Sequence, residues 1–501
     1  MPPSPPPSSS AAAPVPTPPS PLPSVPVPAP PPDAAGVPAT AAGRRPDVAA
    51  AAAGLLLFAA SAAAGALLLH HGAKLQVRWP PLMAAWGPHA GPGTPAAVAV
   101  AVLAVAHGPR LAARAGWRVL LGASWAAATA WTWSLALVDG WQRGVAGRMT
   151  VAGEFLRGLG RFRQDFGGTF RGFNGHILID SPQNWGTHIA GHPIGAVLTF
   201  FGLDRIGLAG GAWAGAFCIT AGSSVAMAAL IVLRRLAGEG RARAAAPFLV
   251  LTPGAVWVGV SPDAWFAALA AWSLVLVTVA ATTGRRTVRA LAGLGGGLLL
   301  GAAVYDSYGL VLLVVPIAGV LVCARTLRPL PSVLAGLGAV VLTFTLAGFD
   351  WWQAYRLLVI RYHQGFGGER PYSYWIWGNL GATVAAVGLA PLAGLRRAAA
   401  EGAARAGGWW RGRGAGGERR IPGPGDRYAV AAVLLPCAFV LAILAADLSG
   451  MSKAETERIW LPFTLWLPAA AGRLPARDHR GWLAAQALAA LLLNHLLLTE
   501  W

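Results

Sequence analysis

Past residue 46 the chain alternates between long apolar runs and short breaks rich in arginine or glycine. The runs fall at 48–69, 94–108, 117–138, 207–233, 246–260, 263–283, 289–305, 308–324, 330–348, 375–395, 428–446, 458–473 and 481–499. A helix needs about 20 apolar residues to cross a bilayer core, and most of these runs approach that length. The pattern predicts an all-α, polytopic transmembrane bundle of about 13 helices. The rhythm changes in the long break 139–206. There Val151, Phe155, Leu159 and Phe162 share one helical face, with Arg157, Arg161, Arg163 and Arg171 among them. This spacing predicts an amphipathic helix resting on anionic lipid heads. The segment 193–203 is too short to span and is expected in the interface.

The arginines orient the runs. Short connections on the cytoplasmic side carry an excess of Lys and Arg. Arg44 and Arg45 precede the first run, and Arg110, Arg114 and Arg118 join the second to the third. Arg234, Arg235, Arg241 and Arg243 follow the fourth, then Arg285, Arg286 and Arg289, then Arg325 and Arg328. The segment 396–427 holds eight arginines, and Arg473, Arg477 and Arg480 precede the last run. All of these fall on one side when the N-terminus is cytoplasmic and the C-terminus extracytoplasmic, as in a multi-pass plasma-membrane protein. Residues 1–45, dominated by Pro, Ala, Ser and Val, read as a disordered cytoplasmic tail. The domain 46–501 then holds a first outer loop at 139–206, a second at 349–374 and the basic cytoplasmic loop 396–427.

Composition agrees. Of 501 residues, 55% are hydrophobic and only 12% charged, with a mean hydropathy of +0.53, which excludes an ordinary soluble protein. The net charge of +19 would suggest nucleic acid in a soluble chain; here the cytoplasmic arginines account for it, and no nucleic-acid partner is expected. Cys218, Cys323 and Cys437 each sit inside an apolar run, with no disulfide or zinc spacing. Several runs are rich in Gly and Ala, which points to closely approaching helix backbones.

This topology sends the acids outward. Asp139, Glu154, Asp165, Asp263, Asp306, Asp447, Glu455 and Glu457 all fall at outer span ends or in outer loops. Acids converging from separate hairpins suggest a polar site at the outer surface, although wet loops also tolerate acids for no chemical reason. Asp139 closes the segment WTWSLALVD, where a partly desolvated carboxylate suits a general base. His188 and His192 are four apart, a spacing open to metal ligation, to substrate hydrogen bonding or to turn packing; Gly191 and Pro193 oppose a regular helix there. The second outer loop combines Trp and Tyr residues with Arg356, Arg361 and Arg370, suited to sugar stacking and phosphate pairing or to a membrane-interface belt. The third, DLSGMSKAETERIWLPF, brings Lys453, Glu457 and Arg458 to the start of a run, where a lipid-linked phosphate or a lipid headgroup fits.

Asp139 after an early span, a long first outer loop and many further spans joined by short hairpins together resemble the GT-C class of membrane glycosyltransferases. That class includes protein O-mannosyltransferases and aminoarabinose transferases. The segments THIAGHPIG, PFLVLTPGAVWVGVSPDAWFAALAAW and ETERIWLPF also resemble a group of actinobacterial integral membrane proteins. The resemblance implies a polyprenyl-phosphate sugar donor, a cell-envelope glycan or protein acceptor, surrounding membrane lipids, and transfer on the extracytoplasmic side with inversion. It implies Asp139 as the catalytic base, with Arg370, Lys453 and Arg458 stabilising the leaving phosphate. Glu154, Asp165, His188, His192, Asp263, Asp306 and Glu457 are the further candidate substrate-binding residues. Members often carry paired acids after the span; here Gly140 and Trp141 follow Asp139, which leaves open whether it acts alone or with Glu154 or Asp165. The sequence specifies no cofactor, and a divalent metal is an open alternative. A transporter or flippase is the rival, for which broken helices or midplane charges are the expected signs. The runs carry almost no charge, and no repeat is evident in the sequence.

Overall fold

A computed structural model describes residues 1–4, 43–414 and 424–500; the side chains of 407–414 and 424–426 fall outside that description. Most of the tail expected at 1–45 and the middle of the loop expected at 396–427 lie outside the described residues. The described residues are 78% helical. Among them six helices are long and apolar enough to cross a membrane: Arg44–His70, Thr94–Arg114, Gly211–Ala237, Pro262–Thr282, Arg286–Asp306 and Arg427–Leu448. The number rises to eight if two bent helix pairs each count as one span. Helix Arg44–His70 shows how such a helix is placed. Leu55, Leu56 and Leu67 face outward, more than half exposed, while Gly54, Ser61 and Gly65 are buried against the helices 372–387 and 389–414. Large apolar groups outside and small ones inside is the arrangement expected where lipid, not water, is the solvent.

Close backbone packing is clearest between helices Arg286–Asp306 and Leu330–Leu346. Gly297 lies against the Val333 carbonyl and Gly336 against the Leu294 carbonyl, so a side-chain carbon at either position would collide with backbone. The glycine and alanine content of the runs was legible as this kind of contact.

Several expected spans are not single helices. Run 246–260 is split into Glu239–Val250 and Ala255–Val258, and run 458–473 into Thr456–Ile459, Leu461–Thr464 and a 3-10 segment Leu467–Arg473. The 375–395 run breaks at Gly388, where Tyr372–Val387 and Leu389–Ala406 meet at 106°. Gly388 holds φ +81°, a left-handed conformation that glycine adopts without strain. The backbone groups freed by the break are satisfied by Gln486, which is fully buried on helix His479–Leu496. Its Oε1 accepts from the Ala390 N–H at 3.2 Å, and its Nε2 donates to the Val387 carbonyl at 2.9 Å. Gln486→Leu leaves both unpaired and is expected to cost about 1–3 kcal/mol, read as a lower thermal midpoint in detergent. An unchanged midpoint would show that the break is satisfied in another way.

The polar ends of the helices sort into two groups. At the arginine-rich end, Arg396 and Arg397 bind the buried Asp47 at 2.7 and 2.6 Å, and Arg473 binds Glu401 at 2.6 Å. Arg243 pairs with Glu239 at 2.7 Å and donates to the carbonyls of Ala112 and Ala115. At the opposite, acid-rich end, the last helix runs into a strand Leu497–Thr499 that pairs antiparallel with Ala84–Trp86. This small ribbon departs from the all-α expectation, and it ties the 71–93 loop to the chain's final residues.

The first outer loop corrects two expectations. Phe155, Leu159 and Phe162 point into the protein, each no more than 2% exposed, while Val151, expected on the same face, is 52% exposed in a turn before them. Phe155 stacks on Phe200 and Phe162 on Trp185, while Arg161 covers Trp185 and Arg163 pairs with Asp204 at 2.6 Å. Intramolecular aromatic partners thus replace lipid. The 193–203 segment forms the helix Ile194–Arg205, which also packs inward, with Gly195 against the Tyr305 carbonyl.

Candidate functional site

The acid-rich end is organised by Arg458, on the one-turn helix Thr456–Ile459. Its guanidinium donates to Asp263 at 2.5 Å and to Glu455 at 2.6 Å. Asp263 comes from the first turn of helix Pro262–Thr282, in the segment SPDA, where Pro262 occupies the start of the helix. Glu455 is shared with Arg370, whose guanidinium lies 3.3 Å away and also donates to the carbonyls of Lys453 and Gln76. Asp263, Arg370 and Arg458 are all at most 6% exposed. Two guanidiniums thus balance two carboxylates in a place that water barely reaches.

Ala454 and Glu455 both have left-handed backbones, φ +68° and +61°. Such conformations cost non-glycine residues on the order of 1–3 kcal/mol each and persist where surrounding contacts impose them. Those contacts are visible. The Asn379 amide donates to Asp447 at 2.9 Å and to the Ser452 carbonyl at 2.8 Å, and its oxygen accepts from the Ala454 N–H. Burial pushes Glu455 upward, but Arg458 and Arg370 more than offset this and hold it near 2, so it stays ionised.

Glu154, His188 and His192 belong to the same neighbourhood. Glu154 is 1% exposed, with a carboxylate oxygen 3.4 Å from His188 Nε2. Burial raises Glu154 to about 7, partly countered by Arg458. Burial lowers His188 to about 3 and lowers His192 as well, so both imidazoles are neutral. His192 lies beyond the short helix Thr187–Ala190 and packs on Phe155 and Phe266. Among the described residues no group of three or more His, Cys, Asp or Glu side chains is arranged to hold a metal ion.

Glu457 is fully buried; one oxygen accepts from the Met83 N–H at 2.8 Å, and burial raises it to about 7. The pH consequences follow from the two directions. Glu154 and Glu457 keep protons in the folded protein between about 4.5 and 7 that the unfolded chain releases, so stability falls as pH rises through that window. Glu455 acts oppositely: its contribution is lost as pH falls from about 4.5 toward 2. Glu457→Gln is expected to flatten that fall, removing on the order of 3 kcal/mol of the change between pH 4.5 and 7. Thermal unfolding in detergent across that range measures it, and an unaltered slope would contradict the assignment.

Lys453 Nζ donates to the Gly367 carbonyl at 2.9 Å and lies 5.9 Å from the Tyr362 ring. Among the described residues it pairs with no carboxylate.

Of the residues singled out by sequence, Glu154, His188, His192, Asp263, Arg370, Lys453, Glu457 and Arg458 are brought to this one region. The Asp139 carboxylate lies 2.8 Å from Arg148, 2.8 Å from His89 and 3.5 Å from Arg143. Arg148 and Arg143 are held in turn by the carbonyl of Thr499 in the terminal strand. Asp306 binds the Trp265 indole at 2.8 Å and Thr199 at 3.4 Å, and Asp165 caps the helix Phe166–Arg171. Both are engaged in local structure.

Sequence reasoning passed over Glu455 as a site residue, and Asn379, His89 and Arg148 altogether. Glu455 had one signal, its place two residues before Glu457 and three before Arg458. The other three depend on partners more than forty residues away or on a turn whose path the sequence does not specify. Set beside known proteins, the chain matches no family model, and no curated protein matches it.

Proposed function

We propose that the chain is a membrane glycosyltransferase that takes a sugar from a polyprenyl-phosphate donor and passes it to a hydroxyl acceptor at the extracytoplasmic face of the plasma membrane. In this reading the polypeptide crosses the membrane thirteen times, some crossings being broken helices. The arginine-rich end is cytoplasmic, as the positive-inside bias asks, and the acid-rich end with the C-terminus is outside. The observation that carries the proposal is Glu154: a buried carboxyl poised near 7, beside a neutral histidine and the Arg458, Asp263 and Glu455 cluster. A base tuned to the working pH is what removal of a hydroxyl proton needs.

In the transfer step Glu154 accepts the acceptor's proton while the acceptor oxygen attacks the anomeric carbon from the face opposite the phosphate. The bond from that carbon to the phosphate oxygen breaks, and its electron pair leaves with the polyprenyl phosphate, inverting the centre. Lys453, which pairs with no carboxylate among the described residues, stabilises the departing phosphate. Arg458 and Arg370 act as positioning residues, since each is already committed to Asp263 or Glu455. Asp139 becomes the partner of Arg148, and the base role passes to Glu154, because Arg148 and His89 already crowd the Asp139 oxygens.

The broken helices favour a second reading, a proton-coupled transporter, in which Glu154 carries the coupling proton. The breaks are satisfied from within the protein, as at Gln486, which weighs against it. Labelled-sugar incorporation from polyprenyl phosphosugars by the purified protein supports the transferase; substrate uptake into proteoliposomes without incorporation supports the transporter and rejects the proposal.

A further inference from the structure

Beside the acid-rich cluster, where helix Arg44–His70 ends, the surface opens into a groove of about 520 Å³. Leu69, Val77 and Phe366 give it apolar walls, while Lys74, Arg78 and Glu500 bring charge to its rim. Arg78 is exposed and makes no hydrogen bond or ion pair among the described residues, and Glu500 makes no salt bridge among them. The one pairing of Lys74 is an exposed contact of 3.5 Å to Glu369, of a kind worth little in water. Cations and an acid therefore share one groove without neutralising each other. Phe366 is 60% exposed there, and Leu67, a turn below on the first helix, is 59% exposed toward the surrounding medium.

We propose that this groove binds a membrane phospholipid whose headgroup carries both a phosphate and an ammonium, of the phosphatidylethanolamine type. The phosphate sits with Arg78 and Lys74 and the ammonium with Glu500, while the acyl chains descend along the Leu67 face. A purely anionic head would face Glu500 unfavourably; an uncharged head would leave Arg78 without a partner. The Gln76 carbonyl that holds Arg370 belongs to the segment lining this groove, so the lipid lies next to the cluster without entering it. The inference stands whether or not the protein transfers sugar.

The test uses the full-length protein in detergent, with retention of added phosphatidylethanolamine or phosphatidylglycerol of matched chains read by native mass spectrometry. The wild type is expected to retain phosphatidylethanolamine preferentially. Arg78→Gln is expected to lower that retention about tenfold, the loss of one charge-assisted contact. Glu500→Gln is expected to abolish the preference by letting phosphatidylglycerol bind as well. Equal retention of the two lipids by the wild type, a preference for phosphatidylglycerol, or discrimination unaltered in both variants would overturn the proposal.

Discussion

Arg458→Ala is expected to destabilise the protein by about 3–5 kcal/mol, the cost of stranding a buried charge whose partner has been removed. Asp263 and Glu455 would both lose the guanidinium that holds them at 2.5 and 2.6 Å, and Arg370, 3.3 Å from Glu455, compensates only one of them. The two left-handed residues Ala454 and Glu455 lie four and three positions before Arg458, and Glu455 is bound by it, so the loop conformation is expected to relax with the loss. Denaturant or thermal unfolding in detergent reads the effect. Asp263→Asn alone is expected to cost less, since Arg458 keeps Glu455. The double change Asp263→Asn and Arg458→Met is expected to recover much of the loss, because one carboxylate and one guanidinium leave together and Glu455 keeps Arg370 as its partner. A single Arg458→Ala variant as stable as the wild type would mean that the carboxylates are solvated and the site is open to water.

Glu154→Gln is expected to leave the fold intact and to lower transfer by about 10²–10⁴-fold, the range removed with a general base. The amide matches the carboxyl in shape but cannot take a proton. Folding stability above neutral pH is expected to rise slightly, since the wild-type carboxyl must ionise there in a dry place. Transfer by the wild type is expected to climb as pH passes about 7, where Glu154 loses its proton, and the variant's residual activity is expected to lack that inflection. A variant with lost activity and lost fold would be uninformative alone, so Glu154→Asp serves beside it: a shortened base is expected to keep the pH inflection at reduced rate.

The helical character and the two-ended distribution of charge were legible in the sequence because both follow from local pattern: apolar runs set the helices, and the arginine-bearing breaks gather at one end. The candidate site was legible in outline for the same reason, as acids and cations concentrated at the other end. What the sequence concealed is pairing. Nothing local distinguishes Asp139, engaged by Arg148 and His89, from Glu154, which lies beside His188; the difference lies in partners supplied by the 71–93 loop and the terminal strand. The 151–162 pattern picked out Phe155, Leu159 and Phe162 as one apolar side but neither its direction nor its start, since an apolar side serves equally against lipid or against Trp185 and Phe200, and Val151 stands exposed in a turn. Broken helices were hidden because hydropathy averages over a kink, and Gly388 is one glycine among many until Gln486 is seen to answer it. Asp47 was passed over because it sits inside the arginine-rich start of a span, and only folding brings Arg396 and Arg397 to it.

The most direct measurement is transfer of labelled sugar from a polyprenyl phosphosugar by the purified protein in proteoliposomes, run in parallel for the wild type, Glu154→Gln and Asp139→Asn. Incorporation by the wild type, its collapse in Glu154→Gln and its persistence in Asp139→Asn is the expected result. Incorporation by Glu154→Gln equal to the wild type, or no incorporation by the wild type from any such donor, would contradict it.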